Sequence, residues 1–229
     1  MFGGNYAPLL ISASALAISI YGVLERHRGA RRSEWLRLTA IVADLDALYF
    51  EQLKTPDGLG TGDFTDAINS RREVLSFQAL ALLPGFEKKI TSSELRVLAY
   101  ALSRAGYPSE AERAWLRAIL RATSEGATQT LFAHRGYAYF LFAAGRSDDA
   151  RAQMRLAVSS VDQDDNSLVK AIETLKFWST EEVDGGSAGE LLAEARRLAD
   201  LIQIPRVRAQ MHKVLGPGVE GAGPPDEHN

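Results

Sequence analysis

RAGYPSEAERAWLRA, residues 104–118, sets a glycine and a proline two positions apart and follows them with alanines among charges. Such a stretch would suit a loop beside an active site, but it recurs. Residues 143–157 read AAGRSDDARAQMRLA. Laid together, Gly106 matches Gly145, Ala111 matches Ala150 and Ala118 matches Ala157, while Ala105 agrees with Ala144. Glu110 pairs with Asp149, and the bulky Trp115 with Met154. The glycine stops a helix where a residue with φ > 0 is needed. Pro108 or Ser147 then opens the next helix, at N1 and N-cap respectively. Alanines seven apart share a helix face, and small side chains there let two antiparallel helices pack closely.

An apolar helix precedes each glycine: ELRVLAYALSRA (94–105), begun by the capping box Thr91 to Glu94, and LFAHRGYAYFLFAA (131–144). The unit is therefore helix–turn–helix, used twice. Glycine, then alanine five residues on, then alanine seven further, with a large apolar residue between the alanines, resembles the tetratricopeptide repeat. The helix-A small position of that family falls on Ala99 and Ala138, and the apolar position before it on Leu98 and Tyr137. The resemblance covers residues 92–158 and is degenerate. The period is 39 residues against the family's ~34, with SEGATQT (124–130) as the insertion. Leu102 and Leu141 replace an aromatic, and Leu95 and His134 a tryptophan. The resemblance implies an α-helical solenoid whose first helices line a groove, with Arg96, Tyr100, Arg135 and Tyr139 turned toward ligand. An arginine fork suits a carboxylate, and tyrosine gives a rigid face with a polar tip. The groove would take an acidic or carboxylate-ended peptide segment; the alternative is core tyrosines and solvated arginines.

A third hairpin is expected from SLVKAIETLKFWS (167–179), a turn at 183–186, and SAGELLAEARRLADLI (187–202), with Ala188 and Ala195 seven apart. Pro205 opens a short last helix to about Leu215, and the tail GPGVEGAGPPDEHN has almost nothing to bury and is expected to be disordered.

Toward the N-terminus, APLLISASALAISIYGVL (7–24) is eighteen residues without a charge. As a helix it is ~27 Å long, close to the ~30 Å hydrocarbon core of a bilayer. Tyr6 and Tyr21 lie near its ends, and Arg26, Arg28, Arg31 and Arg32 follow it while no Lys or Arg precedes it. This asymmetry predicts a single-pass span with the N-terminus outside and the remainder cytoplasmic. A cleaved signal peptide would need a basic n-region, which is missing. The rivals that stay open are that signal peptide and a buried core helix. The four arginines are expected to contact anionic headgroups. Ser12, Ala15, Ser19 and Gly22 share one face of the span, which leaves a homo-oligomer open.

SEWLRLTAIVADLDALYFEQL (33–53) carries Trp35, Leu38, Val42, Leu45 and Tyr49 on one stripe, with Ser33 as N-cap. The stripe serves packing on its own domain or, as the less favoured use, a dimer seam. TPDGLGTGDF (55–64) is a connector, and a helix from Asp63 or Thr65 runs to Leu83, ended by Pro84-Gly85.

Chemistry finds little support. The chain has no cysteine, and His27, His134, His212 and His228 stand in four separate contexts without ligand spacing. GLGTG (58–62) lacks the strand and lysine of a phosphate loop. Asp162, Asp164 and Asp165 read as caps rather than metal ligands. A formal charge of −3 gives no field for nucleic acid. The expectation is therefore an all-α chain, no enzyme, with no cofactor and no metal. Its parts are a transmembrane anchor (1–25), a juxtamembrane amphipathic helix and linker (26–58), a tetratricopeptide-like repeat domain (59–215) and a tail (216–229). Its expected function is a membrane-anchored scaffold that binds a protein or peptide partner. The alternative is a structural or accessory subunit of a membrane complex, assembling through its first helices.

Overall fold

The computed structural model describes the backbone of residues 7–54, 62–182 and 185–216. It describes the side chains in these spans except those of 7–20, 22, 23, 53, 54, 62–65, 185 and 186. The described residues form an all-α structure that divides into two compact units, 1–89 and 90–229. Most of the connector 55–64, residues 183–184 and the tail from 217 onward lie outside the described residues; of the turn expected at 183–186, Gly185 and Gly186 belong instead to the helix that follows.

The first unit holds α1 (Ala7–Lys54) and α2 (Gly62–Leu82), the latter closed by a 3₁₀ turn over Leu83–Gly85. The expected N-cap at Ser33 is corrected: α1 passes through it without interruption, so residues 7–24 and 33–53 belong to one helix. The reason is local. ERHRGARR consists mostly of good helix formers, and the lone Gly29 costs only ~1 kcal/mol relative to alanine. Ser33 has no helix end to cap. No helix among the described residues is long and apolar enough to cross a membrane. The span predicted for 7–24 has helical backbone, but of its side chains only those of Tyr21 and Leu24 are described.

The stripe of α1 is used inside the unit. Leu38, Ile41, Val42, Leu45 and Leu48 are buried, as are Ile68, Ala79, Leu83 and Phe86, and α1 packs on α2. Trp35 sits with its ring 5.5 Å from that of Phe86. Arg72 is buried to 3% exposure, which demands polar partners; it donates to Asn69 at 2.7 Å and to Gln52 of α1 at 2.8 Å. The opposite face of α1 carries a second apolar row, Leu36, Ala40, Ala43, Ala47 and Phe50, all exposed.

The described residues of the second unit form three helical hairpins and a final helix: α3 (Ser92–Arg104) with α4 (Pro108–Ala122), α5 (Ala127–Ala143) with α6 (Ser147–Ser159), α7 (Asp165–Glu181) with α8 (Gly185–Leu201), then α9 (Pro205–Leu215). Each helix packs on the next, and the first helices of neighbouring hairpins also touch, α3 on α5 and α5 on α7. Both recurring glycines have positive φ, +86° at Gly106 and +75° at Gly145. The same crossed bonds close each helix end: Tyr107 N–H donates to Leu102 and Gly106 N–H to Ser103, and Arg146 N–H donates to Leu141 and Gly145 N–H to Phe142. Pro108 is N1 as expected, and the Thr91–Glu94 capping box is complete. Ser147 is corrected from N-cap to N1; Arg146 holds the N-cap position and its side chain reaches Asp149 and Glu112 instead.

Small residues line the hairpin seams. Ala99, Ala111, Ala118, Ala138, Ala150, Ala157 and Ala195 are wholly buried. Ala188, paired with Ala195 in the sequence, is only half-buried. Three carboxylates then tie distant helices together. Glu125, after α4, accepts from the Ser92 backbone at 3.1 Å and from its hydroxyl, holding the start of α3. Glu112 accepts from the Tyr137 hydroxyl and from Arg146, each at 2.6 Å. Glu182, at the end of α7, accepts from Arg151 of α6 and from the Trp178 indole. These bonds hold the carboxyls of Glu112 and Glu182 below the ordinary range, the tyrosine and the arginine respectively being the largest causes.

The tightest approach lies at Gly136 of α5. A Cβ built there would stand 2.4 Å from the Trp115 ring, which is itself buried. Gly136→Ala must displace an indole that has nowhere to go. Thermal unfolding of the variant is expected to show a loss of ~1–3 kcal/mol, and a melting temperature equal to the parent's would contradict this packing.

Candidate functional site

The contacts of α3 with α5 and of α5 with α7 set the first helices of the hairpins side by side, and all four expected partner-binding residues lie on them. Arg96 of α3 and Arg135 of α5 converge on a residue that the spacing argument did not single out, Phe132. The guanidinium carbon of Arg96 is 5.1 Å from the Phe132 ring centroid and that of Arg135 is 4.9 Å away. Cations over an aromatic face are attracted by its quadrupole. The position three residues before Arg135 on the same helix face was the available signal for Phe132.

The polar partners of the two arginines are neutral. Arg96 donates to the side-chain oxygen of Gln129 at 3.3 Å. Arg135 donates to the hydroxyl of Thr174 at 3.4 Å, and that hydroxyl in turn donates to the Lys170 carbonyl at 2.7 Å. Among the described residues neither arginine reaches a carboxylate at ion-pair distance. Burial lowers the Arg96 guanidinium pKa, and the neighbouring charge of Arg135 lowers it further; Glu125 partly offsets both. The cluster is thus two like charges, partly withdrawn from water, beside one ring.

The tyrosines part company. Tyr139 packs against Phe177 of α7 with centroids 4.1 Å apart, and burial pushes its phenol up to about 12. Tyr100 is 37% exposed, with the Arg104 guanidinium 6.0 Å from its ring. The structure therefore brings Arg96 and Arg135 together, seats Tyr139 near Arg135 on α5, and places Tyr100, 37% exposed, on α3. Phe177, at 38% exposure, extends the aromatic surface onto α7.

Elsewhere, Arg26, Arg28, Arg31 and Arg32 are exposed along α1. His134 is half-buried with its Nδ1 2.7 Å from Gln153, a structural arrangement. Asp164 caps α7, its carboxylate accepting from the Asn166 and Ser167 backbone at 3.0 and 3.2 Å. Asp165 reaches forward to accept from the Gln203 and Ile204 backbone at 2.7 and 2.9 Å, just ahead of α9. No protein-family model, curated protein or solved structure matches this chain.

The chemistry available on this face is recognition: two planar forks for an anion, with aromatic surface on both sides. The buried phenol makes one sharp forecast. Because its folded pKa is raised from 10.0 to about 12, Tyr139 contributes stability that is complete below pH 10 and lost as pH rises toward 12. In denaturation followed from pH 9 upward, Tyr139→Phe is expected to lose stability less steeply than the parent across that window. Parallel curves would show that the phenol is not desolvated.

Proposed function

We propose that this chain is a membrane-anchored interaction scaffold. In this reading residues 7–24 cross the bilayer with the preceding residues outside, Arg26, Arg28, Arg31 and Arg32 meet the cytoplasmic headgroups, and the degenerate tetratricopeptide-like hairpins stand in the cytoplasm. There they bind a protein partner through an acidic or carboxylate-ended segment laid over Arg96, Arg135, Tyr100 and Tyr139. The observation that carries the reading is the pair of arginines on Phe132 with only neutral protein partners. A half-buried like-charge pair is costly unless an anion completes it. The charge asymmetry on the two sides of residues 7–24 supports the anchor.

A second reading draws on a different observation. Leu36 and Phe50, 59% and 51% exposed, bracket an apolar row on the free face of α1, as expected of a structural subunit that assembles along this helix.

Affinity capture from native membranes separates the two. Arg96→Ala combined with Arg135→Ala is expected to lose the partner retained by the parent chain, and full retention sinks the scaffold reading. Chemical crosslinking of the full chain is expected to be unchanged in Leu36→Glu combined with Phe50→Glu. Loss of the crosslinked species would transfer support to the subunit reading.

A further inference from the structure

We propose that Arg96, Phe132 and Arg135 form a clamp for a single phosphoryl group, so that the segment taken up by this face is recognised through a phosphorylated side chain. The proposal rests on the reading of this face as a peptide-binding site and specifies the chemistry it selects.

The geometry gives three reasons. First, both guanidinium carbons lie about 5 Å from the same ring centroid, 5.1 and 4.9 Å, which sets the two forks beside one ring and at most ~10 Å apart. Second, each guanidinium carries five N–H donors, yet each makes one hydrogen bond to a protein oxygen, Gln129 or Thr174, both neutral. Most of the donors on two adjacent forks are therefore left for a ligand. Third, the one carboxylate that moderates Arg96 is Glu125, and its oxygens are already engaged by Ser92 and Arg121. It offsets the Arg96 charge only in part.

Charge then discriminates between ligands. A carboxylate brings one negative charge and two oxygens, which satisfies one fork and leaves the other cation uncompensated beside it. A phosphate monoester brings close to two negative charges and three acceptor oxygens, matching two forks with one group. Phe132 sets its apolar ring beside both cations, so the electrostatic gain is less diluted by water.

The test follows the arginine side-chain Nε–H resonances of the full chain by NMR during titration, with Arg96→Lys and Arg135→Lys used for assignment. Three probes are compared at constant ionic strength: a glycine pentapeptide with a central phosphoserine, the same peptide with serine, and a glycine pentapeptide with two glutamates. The phosphoserine peptide is expected to give saturable shifts of both arginines, at an affinity about tenfold or more above the diglutamate peptide. Either lysine variant, which keeps the charge and loses the fork, should lower that affinity by a similar factor. Equal affinity for the two charged peptides, with both lost in the double alanine variant, overturns the phosphoryl clamp and leaves the peptide-binding face standing. Shifts of neither arginine with any peptide overturn both.

Discussion

The second unit depends on how closely paired helices can approach. Alanine buries little surface by itself, so its value at the seams is geometric. With Ala99, Ala111 and Ala118 wholly buried, the α3–α4 pair draws close, and Leu95, Leu98 and Leu102 are buried with them. The α5–α6 pair repeats this with Ala138, Ala150 and Ala157. Gly136 takes the principle to its limit, since even a methyl group there would occupy the volume of the Trp115 ring. Larger side chains at these positions would force the hairpins open rather than merely crowd them.

Close seams also dictate where polar side chains go. A helix whose inner face is given to alanine and leucine has to place its long charged residues at the margins, and on α3 and α5 those margins meet. Arg96 and Arg135 are brought into one neighbourhood by the packing of α3 on α5, and Phe132 is what lets them stay there without a carboxylate. Carboxylates that reach across helices, Glu112, Glu125, Asp165 and Glu182 among them, are committed to bonds that hold the frame. Among the described residues, by contrast, Arg96 and Arg135 reach no carboxylate at ion-pair distance.

Much of this frame was written in local pattern. The spacing of Gly106, Ala111 and Ala118, echoed 39 residues later, placed the hairpins, because positive φ and buried small residues are demands that few other side chains meet. Pro205 and the Thr91 capping box marked helix starts for the same reason. The site was only half legible. Arg96 and Arg135 could be picked from their equivalent positions, but Gln129, 33 residues from Arg96, leaves no periodic trace, and Thr174, one 39-residue period after Arg135, falls in a hairpin that lacks the full glycine and alanine pattern. Glu182, 31 residues from Arg151, leaves no such trace either. Ser33 misled because a serine ahead of an amphipathic run looks the same whether the helix begins there or is already under way.

That continuity of α1 has a mechanical meaning. Each residue advances a helix by about 100°, so an unbroken helix from Ala7 to Lys54 fixes the azimuth of its first turns to that of the Leu38–Leu48 face that packs on α2. There is no swivel at residues 25–33. One residue inserted there would turn the two ends through more than a quarter of a circle, whereas seven would leave them within ~20° of the original phase. The helix behaves as a keyed shaft: whatever orients its first turns also orients the α1–α2 pair, and twist applied at one end is delivered at the other.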